Sequence, residues 1–364
     1  AEAAVDAESL GIMAQNGIRF TVLSPYQARQ SRKIGAETWE DVSDGAVDPS
    51  VAYSISLPSG LPFSLFFYDA VISGAVAFEK LLYQGEIFAE RLMSGFSEER
   101  EDPQIVHIAT DGESYGHHHR HGDMALAYAL HTIESQNLAQ ITNYGQFLEN
   151  HPPGHEVEIH ENSSWSCIHG VARWQEDCGC NTGEHPDWQQ AWRKPLREAL
   201  DWLRDAAAPL YEQKLQNYFH DPWQARNAYI RALLERDHNP EAVDDYLDQH
   251  AKGSLKTHDK VQCLKLLELQ RHAMLMYTSC GWFFDEISGI EAVQIIQYAG
   301  RVIQLARDVL EKDLKTQFLN LLEKAPSNIA EHQNGRRIYE KFVMPAVVDL
   351  KTVCAHYAIS SLVK

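Results

Sequence analysis

Residues Ile105 to Asp123 read IVHIATDGESYGHHHRHGD. The apolar opening predicts a buried strand over Gln104–Ala109. That strand ends at once in Thr110-Asp111-Gly112-Glu113, two carboxylates on a glycine-containing turn. In α/β barrels the C-terminal ends of strands are where catalytic groups sit. Gly116 and Gly122 let the backbone fold back, while His117, His118, His119 and His121 crowd the mouth. Burial and a neighbouring negative charge would hold a carboxylic acid protonated at such a place. A solvated acidic turn followed by surface histidines is the plainer alternative. Asp123 is expected to cap a helix running to about Asn137.

Moving outward, the N-terminal half mixes strands and helices. Ala7 to Gln15 reads as a short helix closed by Asn16-Gly17. Ile18 to Ser24 reads as a strand, and Val51–Leu57 with Pro62–Tyr68 reads as a hairpin around Pro58-Ser59-Gly60. Ser73 to Met93 has apolar residues at helical spacing. Asp69, closing Phe66-Phe67-Tyr68, reads as a helix cap, and His107 as a structural residue inside its strand. Strand, loop and helix in alternation indicate part of an α/β barrel.

The segment Gly154 to Asp187 has no clear period and is rich in Ser, Gly, Cys, His and Trp; a loop this long is usually functional or disordered, and its Cys and Trp argue against disorder. From Trp188 the chain is helical. Trp192, Leu196, Ala199, Leu200, Leu203, Ala206 and Leu210 form one stripe, and helices follow over about 221–236, 240–250, 258–278, 289–323 and 333–361. The fold class expected is α/β plus all-α. Residues 1–150 form a partial barrel, 151–187 an active-site loop and 188–364 a helical domain, the halves meeting near Pro186.

Composition excludes several function classes. The apolar fraction is 44% and the charged fraction 23%, as in a globular protein. A formal charge of −19 would repel a phosphate backbone or an anionic membrane surface, so neither is an expected partner. A neutral polysaccharide is not penalised, and eight Trp and fifteen Tyr supply flat rings for sugar faces. No apolar run approaches the roughly 20 residues of a membrane helix. The six cysteines do not form a secreted disulfide pattern, which fits buried thiols in a reducing, cytoplasmic compartment.

Cys167-x-His169-x8-Cys178-x-Cys180 places four soft ligands in fourteen residues, enough for tetrahedral Zn²⁺. The tight bites differ from the usual knuckle spacing, so a structural zinc and a reduced metal-free loop both stand as readings. Trp165 and Trp174 are candidate stacking platforms or core residues. Asp285-Glu286, beside Trp282 and Phe283, would cap a helix or line a sugar subsite.

Asp111-Gly-Glu-Ser-Tyr-Gly-His117 resembles the acid-bearing motif of glycoside hydrolase family 57, an Asp-x-Glu-x-aromatic-Gly-His pattern. The resemblance makes Asp111 the general acid/base. The opening Ala1-Glu2-Ala3-Ala4 resembles the tail of the family's Trp-Leu-Pro-Glu motif, which makes Glu2 the nucleophile. Glu161 to Cys167 resembles the family's Ser-Ser-Trp-Gly loop, and Thr278 to Asp285 falls where its helical domain lends aromatic residues to the sugar site. The nearest likeness is to long bacterial members with extra helical sequence. It implies the C-terminal part of a (β/α)7-type barrel followed by a helical domain, a chain that starts late in the barrel, and no required cofactor. The implied activity is a retaining α-glucan enzyme of amylase, glucanotransferase or branching type. Glu113, His117, His118, Trp165, Trp282, Phe283 and Asp285 would contact substrate. One departure is His118 and His119 where the family tends to have Trp. Two other readings stand beside it: a metal-dependent carbohydrate deacetylase-like hydrolase using Asp111 and the histidines, and a non-catalytic fragment.

Overall fold

The computed structural model describes residues 2–363, so Ala1 of the opening motif lies outside it. The chain divides into two compact units, Ala1–Val171 and Ala172–Lys364.

The first unit is built on a six-stranded mixed sheet. Its strands are β1 (Phe20–Leu23), β2 (Ala28–Lys33), β3 (Glu40–Asp41), β4 (Tyr53–Ser54), β5 (Ser64–Phe67) and β6 (His155–Ile159), in the order β1-β5-β4-β6-β2-β3. β1 and β5 run parallel, as do β4 and β6; the remaining pairs are antiparallel. Strand side chains alternate between faces. Leu65 and Phe67 therefore join Leu23, Tyr53, Val157 and Ile159 in one core cluster, while Phe66 enters another with Ala52, Ile105 and Phe147. Burial on both faces accounts for the unbroken apolar run Leu65-Phe66-Phe67.

Helices α1 (Ala7–Gln15), α2 (Ala70–Phe78), α3 (Gly85–Met93), α4 (Gly122–Ser135) and α5 (Tyr144–Asn150) complete the unit. α1 has the expected bounds: Asp6 accepts from Ser9 N–H at 2.7 Å and Glu161 from Ala7 N–H at 2.9 Å. Asp69 caps α2 as expected, accepting from Ile72 N–H at 2.8 Å.

Four expectations are corrected. The helix over 73–93 is broken into α2, a 3-10 turn and α3, because Lys80 adopts a left-handed φ of 61°. Gln104–Ala109 is extended but not laddered into the sheet. Its neighbours are the loop at Ser50 and the turn at Asp69, each supplying single hydrogen bonds (Ile105 N–H to Ser50 O, Asp69 N–H to His107 O) rather than a strand edge. Asp123 lies in the first turn of α4, and the cap position belongs to His121, whose side chain makes no cap bond. The Gly154–Asp187 segment opens with β6, inside the sheet; the five residues His-Glu-Val-Glu-Ile alternate, but the run is too short to stand out by period.

The second unit is helical, with α6 (Arg193–Leu215), α7 (Pro222–Glu235), α8 (Ala242–His250), α9 (Thr257–Leu275), α10 (Ile290–Leu310), α11 (Lys315–Leu322), α12 (Gly335–Ile338) and α13 (Leu350–Val363). Trp192, Leu196, Ala199, Leu200 and Leu203 pack into the main core with α10 residues such as Ile296 and Ala299. Beyond Leu203 the fully buried stripe continues through Ala207, Tyr211 and Leu215, with Ala206 packed against the core partly buried and Leu210 outside it. The expected helix over 289–323 is divided at Glu311, whose φ is 54°. Among the described residues, no single helix is long and apolar enough to cross a membrane.

Candidate active site and the Cys/His loop

Residues Glu2 to Val5 run antiparallel to Ser163–Trp165. Val5 and Ser163 exchange backbone hydrogen bonds, and Trp165 N–H reaches the Glu2 carbonyl at 3.2 Å. This pairing sets the Glu2 side chain against the loop. Its Oε2 accepts from Trp165 Nε1 at 2.9 Å and from Ser166 Oγ at 2.7 Å. Gln27 ties the same strip to the sheet, donating through Nε2 to Ala3 O at 2.7 Å and Ser163 Oγ at 3.2 Å. The Trp165 ring meets Tyr68 edge-on at 6.2 Å, one residue beyond the end of β5. Burial pushes the Tyr68 hydroxyl above its ordinary value, opposed by its hydrogen bond to Ser24. Trp165 keeps 37% of its surface exposed, which leaves the ring open to a ligand.

The acid motif follows the extended segment. His107 is buried and bonded at both nitrogens, Nδ1 to Tyr144 Oη at 3.0 Å and Nε2 to Pro49 O at 3.1 Å. Burial drives it down to about 4, so it is a neutral structural group, as expected. Asp111 opens a 3-10 turn, Gly112–Tyr115, steadied by Thr110 Oγ1 donating to Tyr115 Oη at 3.1 Å. The Glu113 carbonyl accepts from the N–H groups of His117 and His118 at 3.0 and 2.9 Å. The turn is held against α4 at Gly122, where an added Cβ would lie 2.9 Å from Ser114 O. Asp111, Glu113, His117 and His118 are all exposed. The burial expected around the acid pair is therefore absent: both carboxylate residues are exposed, although Ser114, between Glu113 and Tyr115, is buried and Tyr115 packs against the core of α3 and α4.

In the helical unit, Trp282 is 1% exposed and sits within the main core. Asp285 is 4% exposed, its carboxylate accepting from Thr182 N–H and from Thr182 Oγ1 at 2.6 Å. Glu286 accepts from Ser327 Oγ at 2.5 Å, Ser288 N–H at 3.1 Å and Asn328 N–H at 2.7 Å. Packed this way, Trp282 and Asp285 offer neither a ring face nor a carboxylate to a sugar; they hold the unit together. Phe283 is half-buried, with the Arg173 guanidinium 4.6 Å over its ring. Trp174 is half-buried too, donating to Ser279 O at 3.2 Å.

Of the four candidate metal ligands, Cys167 and His169 belong to the first unit and Cys178 and Cys180 to the second. Arg193, at the start of α6 and fully buried, donates to the Cys180 carbonyl at 3.0 Å and lies 3.7 Å from Cys178 Sγ. Burial and then the neighbouring Arg173 charge lower its affinity for a proton, against Cys178, Asp285 and Cys180. Ser166, Gln27, Tyr68 and Arg193 were not singled out in the sequence. Ser166 had a signal in the Ser-Ser-Trp-Ser run; Gln27 and Arg193 had none, since each acts through contacts made by folding.

Together these features define a class: an α/β unit with an acid-bearing loop beyond an extended segment of its sheet region, in a chain that continues as helices. Residues 1–160 match the family model Glycosyl hydrolase family 57. Residues 188–364 match a Domain of unknown function (DUF3536). The crystal structure of a novel exo-type maltose-forming amylase from Pyrococcus sp. ST04 is similar, with a TM-score of 0.60 at 16% identity. The alignment covers 89% of this chain and 57% of that one, so the chain spans little more than half the length of that amylase. At this identity the likeness is one of fold. No curated protein matches the chain.

Proposed function

We propose that this protein is a retaining glycoside hydrolase or glycosyl-transferring enzyme acting on α-glucans, with Glu2 as nucleophile and Asp111 as acid/base. The sheet of the first unit is then the C-terminal part of a (β/α)7-type barrel followed by a helical domain. The observation that carries the reading is the double anchoring of the Glu2 carboxylate by Trp165 Nε1 and Ser166 Oγ. Two donors on one oxygen leave the other to attack the sugar and fix the orientation of the carboxylate.

A retaining mechanism needs two carboxyl groups about 5–5.5 Å apart when substrate is bound. Glu2 attacks the anomeric carbon while Asp111 protonates the departing glycosidic oxygen, so the C–O bond breaks as the glycosyl ester forms. Asp111 then takes a proton from water or from a sugar hydroxyl, which displaces Glu2 with net retention. Water gives hydrolysis and a sugar acceptor gives transfer. Asp111 is exposed, so the covering sugar supplies the desolvation that makes it an effective acid. Glu113, His117 and His118 line the acid side and Trp165 offers a stacking face.

The test is Glu2→Gln and Asp111→Asn in the full-length protein, with products from a linear α-glucan followed by chromatography. Asp111→Asn is expected to lower turnover by about 10²–10⁴-fold, the usual contribution of a general acid. Near-normal turnover in either variant, on every glucan that the unaltered protein attacks, would overturn the assignment.

A further inference from the structure

We propose that the groove over β2 and β6 binds a stretch of glucan chain away from the bond that reacts, an inference that rests on the α-glucan reading above. The groove has a volume of about 430 Å³, and Arg29, Arg32, Trp39, Glu156, Glu158 and Glu161 are among the residues that line it. That volume lies within the roughly 300–1,000 Å³ of ordinary ligand pockets. All of its lining belongs to the first unit.

The strand sequence builds the groove. β6 reads His155-Glu156-Val157-Glu158-Ile159, and side chains along a strand alternate between faces. Val157 and Ile159 are buried in the core cluster of the sheet, which leaves Glu156 and Glu158 to the opposite face. The antiparallel register sets Arg32 opposite Glu156 and Gln30 opposite Glu158. Glu156 Oε2 accepts from Arg32 Nε at 2.7 Å, and Glu158 Oε2 accepts from Gln30 Nε2 at 2.5 Å and from Arg29. Glu161, two residues past β6, accepts from Ala7 N–H through its own Oε2 at 2.9 Å. Three carboxylates along one groove are thus each pinned through one oxygen, while each Oε1 takes no hydrogen bond among the described residues.

The mixed charge selects the ligand. Arg29 and Arg32 oppose a bare cation, which three carboxylates would otherwise suit, and the carboxylates oppose an anion. Neutral hydroxyl groups are penalised by neither: they donate to the open carboxylate oxygens and accept from spare guanidinium N–H groups. Trp39 is half-buried, with the Arg32 guanidinium 4.4 Å from its ring centroid, a contact that holds the indole at the groove wall. A flat apolar ring beside a row of hydroxyl acceptors fits a saccharide, which offers C–H groups on its faces and hydroxyls at its rim.

The groove adjoins the strip that carries Glu2. Glu161 and Ala7 meet at one end of it, and two residues further on in each segment Ser163 and Val5 exchange backbone hydrogen bonds. Strand residues rise about 3.3 Å each, so Glu156 stands roughly 16 Å from Glu161 along the groove. A chain held over that length is gripped by residues that take no part in bond cleavage. Such contacts favour long substrates over short ones without touching the reacting centre.

The experiment measures maltoheptaose binding to the full-length protein by isothermal titration calorimetry. KM and kcat are measured beside it, on a long linear α-glucan and on the shortest maltooligosaccharide that the unaltered protein attacks. The unaltered protein is expected to bind maltoheptaose, and Trp39→Ala and Ser56→Trp are each expected to weaken binding about fivefold. The first removes the ring; the second, at an exposed position on the groove, fills it while leaving the polar pairs in place. Both should raise KM on the long glucan several-fold and leave the kinetics on the short one unchanged. Absence of maltoheptaose binding in the unaltered protein overturns the inference, as does unchanged affinity in Ser56→Trp, even if Trp39→Ala fails to fold. An equal loss on the short and long substrates also overturns it. The two readings fail separately: near-normal turnover in Glu2→Gln removes the catalytic assignment while the isotherm still reads the groove, and unchanged binding in Ser56→Trp beside an inactive Glu2→Gln removes the groove alone.

Discussion

Trp165 Nε1 donates to Glu2 Oε2 at 2.9 Å, joining residues 163 positions apart in the chain. The antiparallel pairing of Val5 with Ser163 sets this register, so the ring and carboxylate meet through backbone geometry rather than by side-chain reach alone. Ser166 adds a second donor to the same oxygen at 2.7 Å. A carboxylate held this way loses rotational freedom before substrate arrives.

Trp165→Phe keeps a ring but removes the indole donor. Hydrogen bonds to charged groups contribute about 1.5–3 kcal/mol, so kcat on an α-glucan should fall roughly 10–100-fold. Ser166→Ala should act in the same direction. Steady-state kinetics separates this from lost stacking, which would appear mainly in KM.

His107 titrates at about 4 in the folded protein because it is buried, against 6.5 for an ordinary histidine. Between these values the unfolded chain binds a proton that the folded chain refuses. Its contribution to stability is therefore full above about pH 6.5 and lost as the pH falls towards 4, on the order of 3 kcal/mol over the window. Urea midpoints measured between about pH 4 and pH 7 should decline on acidification, and His107→Gln should flatten that decline.

Gly122→Ala places a Cβ 2.9 Å from Ser114 O and 3.1 Å from Leu82 Cδ1. Overpacking of this kind costs about 1–3 kcal/mol. The turn carrying Asp111 and Glu113 must shift to relieve it, so turnover should fall more than thermal stability alone explains. Denaturation midpoints paired with activity well below the midpoint read the two effects separately.

Glu286→Ala strands the Ser288 and Asn328 N–H groups and the Ser327 hydroxyl in the helical unit. Leaving buried donors unmatched should cost about 2–5 kcal/mol. Chemical denaturation should show the loss, while Glu286→Gln, which keeps one acceptor oxygen, should lose less.

The acidic turn at Asp111 was legible because an apolar run, a glycine turn and acidic residues follow one another without a break, although that run is extended and not a strand of the sheet. The capping role of Asp69 and the bounds of α1 were legible for a similar reason, since capping is local chemistry. β6 was not: five residues give too little period to separate a strand from a loop, and its place between β4 and β2 depends on partners distant in sequence. The break at Lys80 was also hidden, because an apolar stripe can run on through a left-handed residue.

By itself, then, the sequence determined which segments are apolar, where helices begin, and that carboxylates, imidazoles and thiols are grouped along the chain. Tertiary structure alone decided what those groups face. Trp282 and Asp285, candidates for sugar contacts by type, became packing and hydrogen-bonding members of a core, and Glu2 acquired two donors from a loop far along the chain. The reason is physical. Local propensity acts over a few residues, whereas burial and the pairing of polar groups depend on which distant segments the hydrophobic core draws together.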